Sequence, residues 1–244
     1  MKVLAFDTSN QPLSVAVIED EILLTEQTIN IKRNHSIQLM PAIEEALKQS
    51  KLSLEEIDRI AVASGPGSYT GLRIAITIAK SLAWTKNIEL VGISSLKLIA
   101  ANSFGQPGDL IVPLFDARRQ NIYTGLYTRD KEDQLVAVTE ERHIAAEQWA
   151  EAIAEKAYDQ PIELIGADAP TFFEVFKEKL GDQVKLARPE QHLPRAAVLA
   201  FLAQEEDPVN VHEFTPTYLK LAEAEENWLE EHPDFEGGDL VEKI

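Results

Sequence analysis

Few side chains in this sequence are typed and spaced for chemistry, and each can be judged by what its reaction would require. Asp7 closes the first apolar run and is followed by Thr8, Ser9 and Asn10. A carboxylate at this position could hold a magnesium ion. A backbone that approaches a phosphate, however, needs glycine beside the acid, because a Cβ would fill the space. Capping the turn is the simpler role for Asp7. Gly65, Gly67 and Gly71 invite a phosphate-loop reading. No Gly-Lys-Ser/Thr follows them and their spacing is not that of a dinucleotide fingerprint, so a tight turn at Gly65 and Gly67 and close helix packing at Gly71 are expected. Ser68 sits in Gly67-Ser68-Tyr69-Thr70-Gly71. That run lacks the spacing of a nucleophile elbow, and no histidine is tied to it by a motif. His35, His143, His192, His212 and His232 are scattered, with none three or four residues from another, so no metal site is expected. Arg118 and Arg119 are the only adjacent arginines. They could take an anion or a partner's carboxylate, although a solvated turn is the commoner outcome for such a pair.

The elements that must position these residues begin with the stretch 57–84, IDRIAVASGPGSYTGLRIAITIAKSLAW. It reads as a buried strand, a glycine-rich turn, and a helix capped by Ser68 or Thr70. Leu72, Ala75, Ile76, Ala79, Leu82 and Ala83 form one apolar side of that helix, while Ile74 and Ile78 lie on another. A single core contact would leave apolar surface over, so the helix is either deeply buried or half of an interface. Upstream, residues 3–7, 13–18 and 22–28 read as three strands. A helix over 35–50 follows, with Leu39, Met40, Ile43, Ala46 and Leu47 at helical spacing and Pro41 either bending it or marking its start. Ser53 and Glu56 have capping-box spacing, and a strand over 89–93 leads into a helix from Ser94 or Ser95. The pattern then restarts. Strands over 110–116, 121–127 and 134–138 precede helices over 146–157 and 171–180 that flank a strand at 162–165, and a helix over 195–204 follows. Two βββ-then-αβ units predict a duplicated α/β fold with a cleft between lobes. The expected lobes are 1–105 and 106–192, with 193–244 supplying C-terminal helices and an acidic tail that pack back between them.

Composition bounds the function. The 244 residues are 45% hydrophobic and 26% charged, an ordinary globular balance, but 23 basic against 41 acidic residues leave a net charge of −18. Phosphate backbones are held mainly by Lys and Arg, so the chain alone is a poor candidate for tight nucleic-acid binding. Trp84, Trp149 and Trp228 are too dispersed for a base-stacking platform. The absence of cysteine removes disulfides, thiolate metal sites and a thiol nucleophile, and no run approaches membrane-spanning length. A cytoplasmic protein is expected. Residues 223–244 carry nine acids against one lysine, with Leu221, Ala224 and Trp228 at helical spacing. Such a tail serves solubility, repels RNA or attracts a basic partner.

Asp7-Thr8-Ser9, the block SGPGSYTGLRIAITIAKSLA over 64–83, Asp116-Ala117-Arg118 and Tyr218-Leu219-Lys220 together resemble the TsaB (YeaZ) family over nearly the whole chain. The resemblance implies the bilobal, ribonuclease-H-like fold of actin, hexokinase and the heat-shock ATPases. It also implies a subunit of the bacterial machinery that installs threonylcarbamoyl on the adenosine beside the tRNA anticodon. In that family the paralogue TsaD is catalytic, TsaB pairs with it, and the ATPase TsaE docks onto the pair. The TsaD strand matching 89–93 is followed by an HxxxH metal pair, which would fall at about Ser95 and Ile99 here, and neither can replace an imidazole.

The expectation is therefore a scaffold and dimerisation subunit with no catalytic residue, metal or cofactor of its own. Its expected partners are a TsaD-like subunit, a TsaE-like ATPase and a second copy of itself when TsaD is absent. The helices near 36–50 and 70–84 are expected to form a shared four-helix contact. Met40, Ile43, Leu47, Arg73, Ile74, Thr77, Ile78 and Ser81 are its expected partner-binding residues, with Asp7 and Arg118 as a nucleotide or anion contact. Two other readings make different demands: an ATPase or kinase of the same fold needs nucleotide turnover by the isolated chain, and a glycoprotease-like peptidase needs a metal or a nucleophile.

Overall fold

The computed structural model describes residues 1–31, 34–156 and 159–220, and within them the chain builds one arrangement twice. β1 (Lys2–Asp7) pairs antiparallel with β2 (Leu13–Glu19), which pairs antiparallel with β3 (Ile22–Ile29). α1 (His35–Ser50) carries the chain over to β4 (Arg59–Gly65), parallel to β1, and α2 (Tyr69–Lys86) carries it to β5 (Glu89–Ser94), parallel to β4. Antiparallel neighbours need only a turn, whereas parallel ones need a crossover, so the helices appear where the strand direction repeats.

A short α3 (Ser95–Ala101) leads to the second set: β6 (Leu110–Asp116), β7 (Asn121–Arg129), β8 (Leu135–Ala145), α4 (Ala146–Glu155), β9 (Ile162–Ile165), α5 (Ala169–Leu180), β10 (Val184–Leu186) and α6 (Ala196–Gln204). The sheet orders are β3-β2-β1-β4-β5 and β10-β9-β6-β7-β8, the same topology with β6 in the place of β1 and β9 in the place of β4.

Local chemistry sets the helix starts. The Asn34 carboxamide accepts from the Ser36 N–H at 3.1 Å to begin α1, the Ser68 hydroxyl accepts from the Gly71 N–H at 3.2 Å to begin α2, and Ser94 accepts from Leu96 and Lys97 to begin α3. Of the two caps open to each of these last helices, Ser68 and Ser94 are the ones used. α1 continues through Pro41 rather than starting there. β8 is longer than the 134–138 expected and reaches Ala145. Glu140, Glu141, Arg142 and His143 hide that extension from a hydrophobicity pattern, and its ladder with β7 holds it in place. The three-residue β10 is too short to announce itself.

Four apolar layers follow from the two sheets. Leu4, Phe6, Val15, Val17, Ile60 and Val62 face α1 and α2 on one side of the first sheet. On the other side, Val3, Ala5, Ala16, Ile18, Ala61, Val91 and Ile93 meet the small inner face of α6, formed by Ala196, Ala197, Leu199, Ala200 and Ala203. α3 lies between the sheets, with Leu98 on the first and Leu96, Ile99 and Ala100 on Ile111, Phe115 and Tyr127 of the second. α4 and α5 cover the far face of the second sheet through Trp149, Ile153, Phe172 and Phe176.

After α6 the chain runs back as an irregular strap over 205–220. The buried Arg59 guanidinium donates to the carbonyls of Ala203 at 2.5 Å and Glu206 at 2.9 Å, which closes the end of α6. The Val209 N–H donates to the Leu90 carbonyl at 2.8 Å on the edge strand, and the Thr217 N–H donates to the Ser64 carbonyl at 2.7 Å beside the turn into α2. The acidic tail and its helical spacing at Leu221, Ala224 and Trp228 lie outside the described residues, as does the expected end of α4 at residue 157.

Candidate functional site

α2 is an 18-residue helix without a single acid, and its two faces differ. Leu72 is buried, and Ala75, Ile76 and Ala79 are buried against the first sheet. Ile74 and Ile78, one turn apart, are half-buried at the margin of that core, where with Ser36, Tyr69, Thr70, Arg73 and Thr77 they line an open groove of about 410 Å³ between α1 and α2. Ile37 beside it is 69% exposed, and Trp84 carries apolar surface further along α2, edge-on to His212. Of the residues expected at a shared interface, Arg73, Thr77 and Ser81 are exposed, and Met40, Leu47, Ile74 and Ile78 are half-buried. Ile43 is the exception. It is 2% exposed and sits among Leu39, Ala42 and Ala46 in the lobe's own core, because the inward stripe of α1 passes through 39, 42, 43 and 46.

A residue from the strap braces two of the groove's lining residues. The Tyr218 ring stacks on Tyr69 with centroids 5.5 Å apart and planes at 27°. The Arg73 guanidinium lies 4.1 Å from the centre of the Tyr69 ring, and its Nε–H donates to the Tyr218 hydroxyl at 3.1 Å.

The second candidate region lies between the lobes. Asp7 ends β1 and Asp116 ends β6, and each carboxylate accepts from the N–H two residues on, Ser9 at 2.7 Å and Arg118 at 2.8 Å. The environments diverge after that. Asp7 is fully buried, and burial pushes its carboxyl above the usual carboxylate range against the opposing bonds from Ser9 and the nearby His35. Its Oδ2 has no partner. Asp116 is exposed and lies 3.6 Å from Arg118, whose side chain is 88% exposed. A cleft of about 330 Å³ is lined by Asn10, Gln11, Gly67 and Ser68 from one lobe and by Asp116, Arg118 and Tyr123 from the other. Arg118 reaches this space, and Asp7 is not among its lining residues.

The glycines of the 64–83 block hold two turns together. A Cβ on Gly67 or Gly71 would strike the carbonyl oxygens of Ser9 and Thr8. The Ser68 N–H donates to the Ser9 carbonyl at 2.6 Å and the Thr8 hydroxyl to the Gly71 carbonyl at 2.8 Å, so the β1–β2 turn occupies the approach to the start of α2. Ser95 and Ile99 are buried in α3. No group of three His, Asp or Glu side chains among the described residues could hold a metal ion.

Sequence reasoning missed three features. The place of Tyr218 on Tyr69 depends on a strap that carries no periodicity. The Ser94 and Tyr127 hydroxyls both donate to the Glu141 carboxylate, the second at 2.5 Å, so that the first sheet's last strand is tied to the second sheet. Burial and that carboxylate push the Tyr127 phenol well above its usual range. The duplication also left residue-level marks: an acid ends β1 and β6, and a glycine of positive φ closes β4 and directly follows β9, Gly65 at 115° and Gly166 at 124°. Comparing the ends of equivalent strands would have found them.

The arrangement as a whole has counterparts. A hexokinase of the ROK family from Thermus thermophilus shares the fold at a TM-score of 0.51, with 14% identity over 84% of this chain and 98% of its own. YeaZ from Pseudomonas aeruginosa is closer, with a TM-score of 0.72 and 24% identity over 89% of this chain and 99% of its own. The family model described as TsaD, tRNA N6-adenosine threonylcarbamoyltransferase, matches residues 23–228. The tRNA threonylcarbamoyladenosine biosynthesis protein TsaB of Bacillus subtilis is 40% identical over 230 residues, which cover 94% of this chain and 99% of the relative. An end-to-end match at that identity, on a bilobal fold of the actin, hexokinase and heat-shock ATPase type, means that the chain belongs to the TsaB family of tRNA threonylcarbamoyladenosine biosynthesis proteins.

Proposed function

We propose that this protein is a non-catalytic scaffold in threonylcarbamoyl transfer to tRNA, acting in the cytoplasm by binding a TsaD-like catalytic subunit through α1 and α2 and helping to recruit a TsaE-like ATPase. The observation that carries the reading is the open groove around Ile74 and Ile78, on a helix whose opposite side already fills the lobe's core. Apolar surface of this kind is covered by another protein. The same surface pairs two copies of the chain when the catalytic subunit is absent. Ile74 and Ile78 are the anchors, with Met40, Leu47, Arg73, Thr77 and Ser81 around them.

A non-catalytic role fits the cleft. At the entry to α2, where a phosphate would sit, the Ser68 N–H is spent on the Ser9 carbonyl and the Gly71 N–H on the Ser68 hydroxyl. The buried Asp7 carboxyl serves its own turn, which leaves Arg118 as the side chain available to an anion at the cleft mouth.

Sedimentation velocity of the chain with the TsaD-like subunit of the same genome tests the reading. A complex is expected, and Ile74→Glu with Ile78→Glu should abolish it while circular dichroism stays unchanged, since two unpaired charges would be buried in the contact. Failure of the wild-type chain to associate, or unfolding of the double variant, would remove the basis of the proposal.

A further inference from the structure

The charge of α2 is out of character for the molecule. In a chain of net charge −18, this helix carries Arg73, Lys80 and Lys86 and no acid. Two of the three cations are already engaged: Lys86 pairs with Glu55 at 2.6 Å, and Lys80 donates to the carbonyls of His212 at 3.1 Å and Phe214 at 2.7 Å. Arg73 has no carboxylate within ion-pairing distance among the described residues, and only its Nε is bonded, to Tyr218. It is nevertheless held. Tyr69 lies under the guanidinium, Tyr218 stacks on Tyr69, and the Tyr218 hydroxyl fixes the Nε edge, so the guanidinium is held on two sides at the lining of the apolar groove and has less rotamer freedom left to lose.

We infer that the groove takes a partner helix that sets an aspartate or glutamate opposite Arg73, and that Tyr218, delivered by the C-terminal strap, holds the guanidinium ready for it. The inference rests on the scaffold reading above and adds the chemistry that selects the partner. An apolar groove alone accepts many helices. A fixed fork of donors with no counter-charge among the described residues penalises a helix that leaves it unpaired, and rewards one that brings a carboxylate. A second copy of the chain would bring an equally uncompensated Arg73 to the contact, so the surface favours an acid-bearing partner over itself. The strap thereby becomes part of the recognition surface, and Tyr218 a positioning residue for it.

Isothermal titration of the full chain with the TsaD-like subunit at low and moderate salt provides the test, with circular dichroism melts run on every variant. Arg73→Gln is expected to weaken binding about tenfold or more and to flatten the salt dependence seen with the wild-type chain. Arg73→Lys should recover only part of the affinity, and Tyr218→Phe, which keeps the stack and loses the hydroxyl, should weaken binding about threefold without changing the melt. Wild-type affinity in Arg73→Gln, at both salt concentrations, would overturn the inference while leaving the Ile74 and Ile78 anchors standing. Loss of association in the wild-type chain itself would overturn the scaffold reading and this inference with it. Glu223, Glu225 and Glu226 stand just beyond the strap in sequence. If changing all three to Gln reproduces the effect of Arg73→Gln in the full chain, Arg73 is committed to the chain's own tail and the inference fails.

Discussion

Asp7 shows what a single carboxyl contributes when its surroundings are considered atom by atom. It is fully buried, one oxygen is bonded and the other is not. Asp7→Asn keeps the bond from Ser9 and cannot ionise, so in urea denaturation the variant should gain stability relative to the parent as the pH rises through the raised carboxyl value. The sign with pH follows from the upward shift. The folded chain holds this proton more tightly than the unfolded one, so the stability that Asp7 contributes is fully present below the ordinary value of 3.8 and is lost as the pH rises through the raised one. The Asn variant should lack that slope. His192 behaves oppositely. Its Nδ1 accepts from the Gly166 N–H at 3.2 Å, and burial holds the ring below the usual 6.5. The unfolded chain therefore takes up the proton first, and stability falls as the pH drops through 6.5 toward the lower folded value. His192→Asn, whose Oδ1 can accept the same N–H, should lose less stability than the wild type between about pH 7 and about pH 5. Asp7 was legible in the sequence as a strand-end acid capping a turn, because an acid before Thr-Ser-Asn has few other uses. The role of His192 was not, since its partner Gly166 lies on a different element.

At the scale of the element, α2 is the informative case. Its spacing showed two apolar sides before any coordinates did, and which side faces inward is decided by the sheet it crosses. Leu72 is fully buried while Ile74 is only half-buried, so the two should report differently on folding. Leu72→Ala should cost about 2–5 kcal/mol in chemical denaturation, and Ile74→Ala less than about 1 kcal/mol. Equal costs at the two positions would mean that Ile74 is core and not surface. α1 was read less well. Ile43 falls at the same spacing as Met40 and Leu47, and a helical wheel cannot separate a residue at the centre of the inward stripe from those at its margins.

For the molecule as a whole, the excess of acids predicts that the isolated chain binds tRNA weakly, and filter binding at low salt should detect no tight, salt-dependent complex. The duplicated order of strands and helices was legible because hydrophobic periodicity changes from strand to helix at nearly every junction. The placement of α6 on the first sheet was not, because pattern says nothing about which of two sheets a distant helix will choose. That placement has a temporal consequence. Chains are made from the N-terminus, so Val3, Ala5, Ala16, Ile18, Ala61, Val91 and Ile93 are all synthesised, with Leu98 of α3 as the only cover from that cluster, long before residues 196–203 arrive. The first lobe cannot finish folding on the ribosome ahead of the second; it has to wait for nearly the whole chain to emerge. A nascent chain stalled after residue 105 should accordingly remain protease-sensitive and recruit chaperones, and one extended past the strap should become resistant.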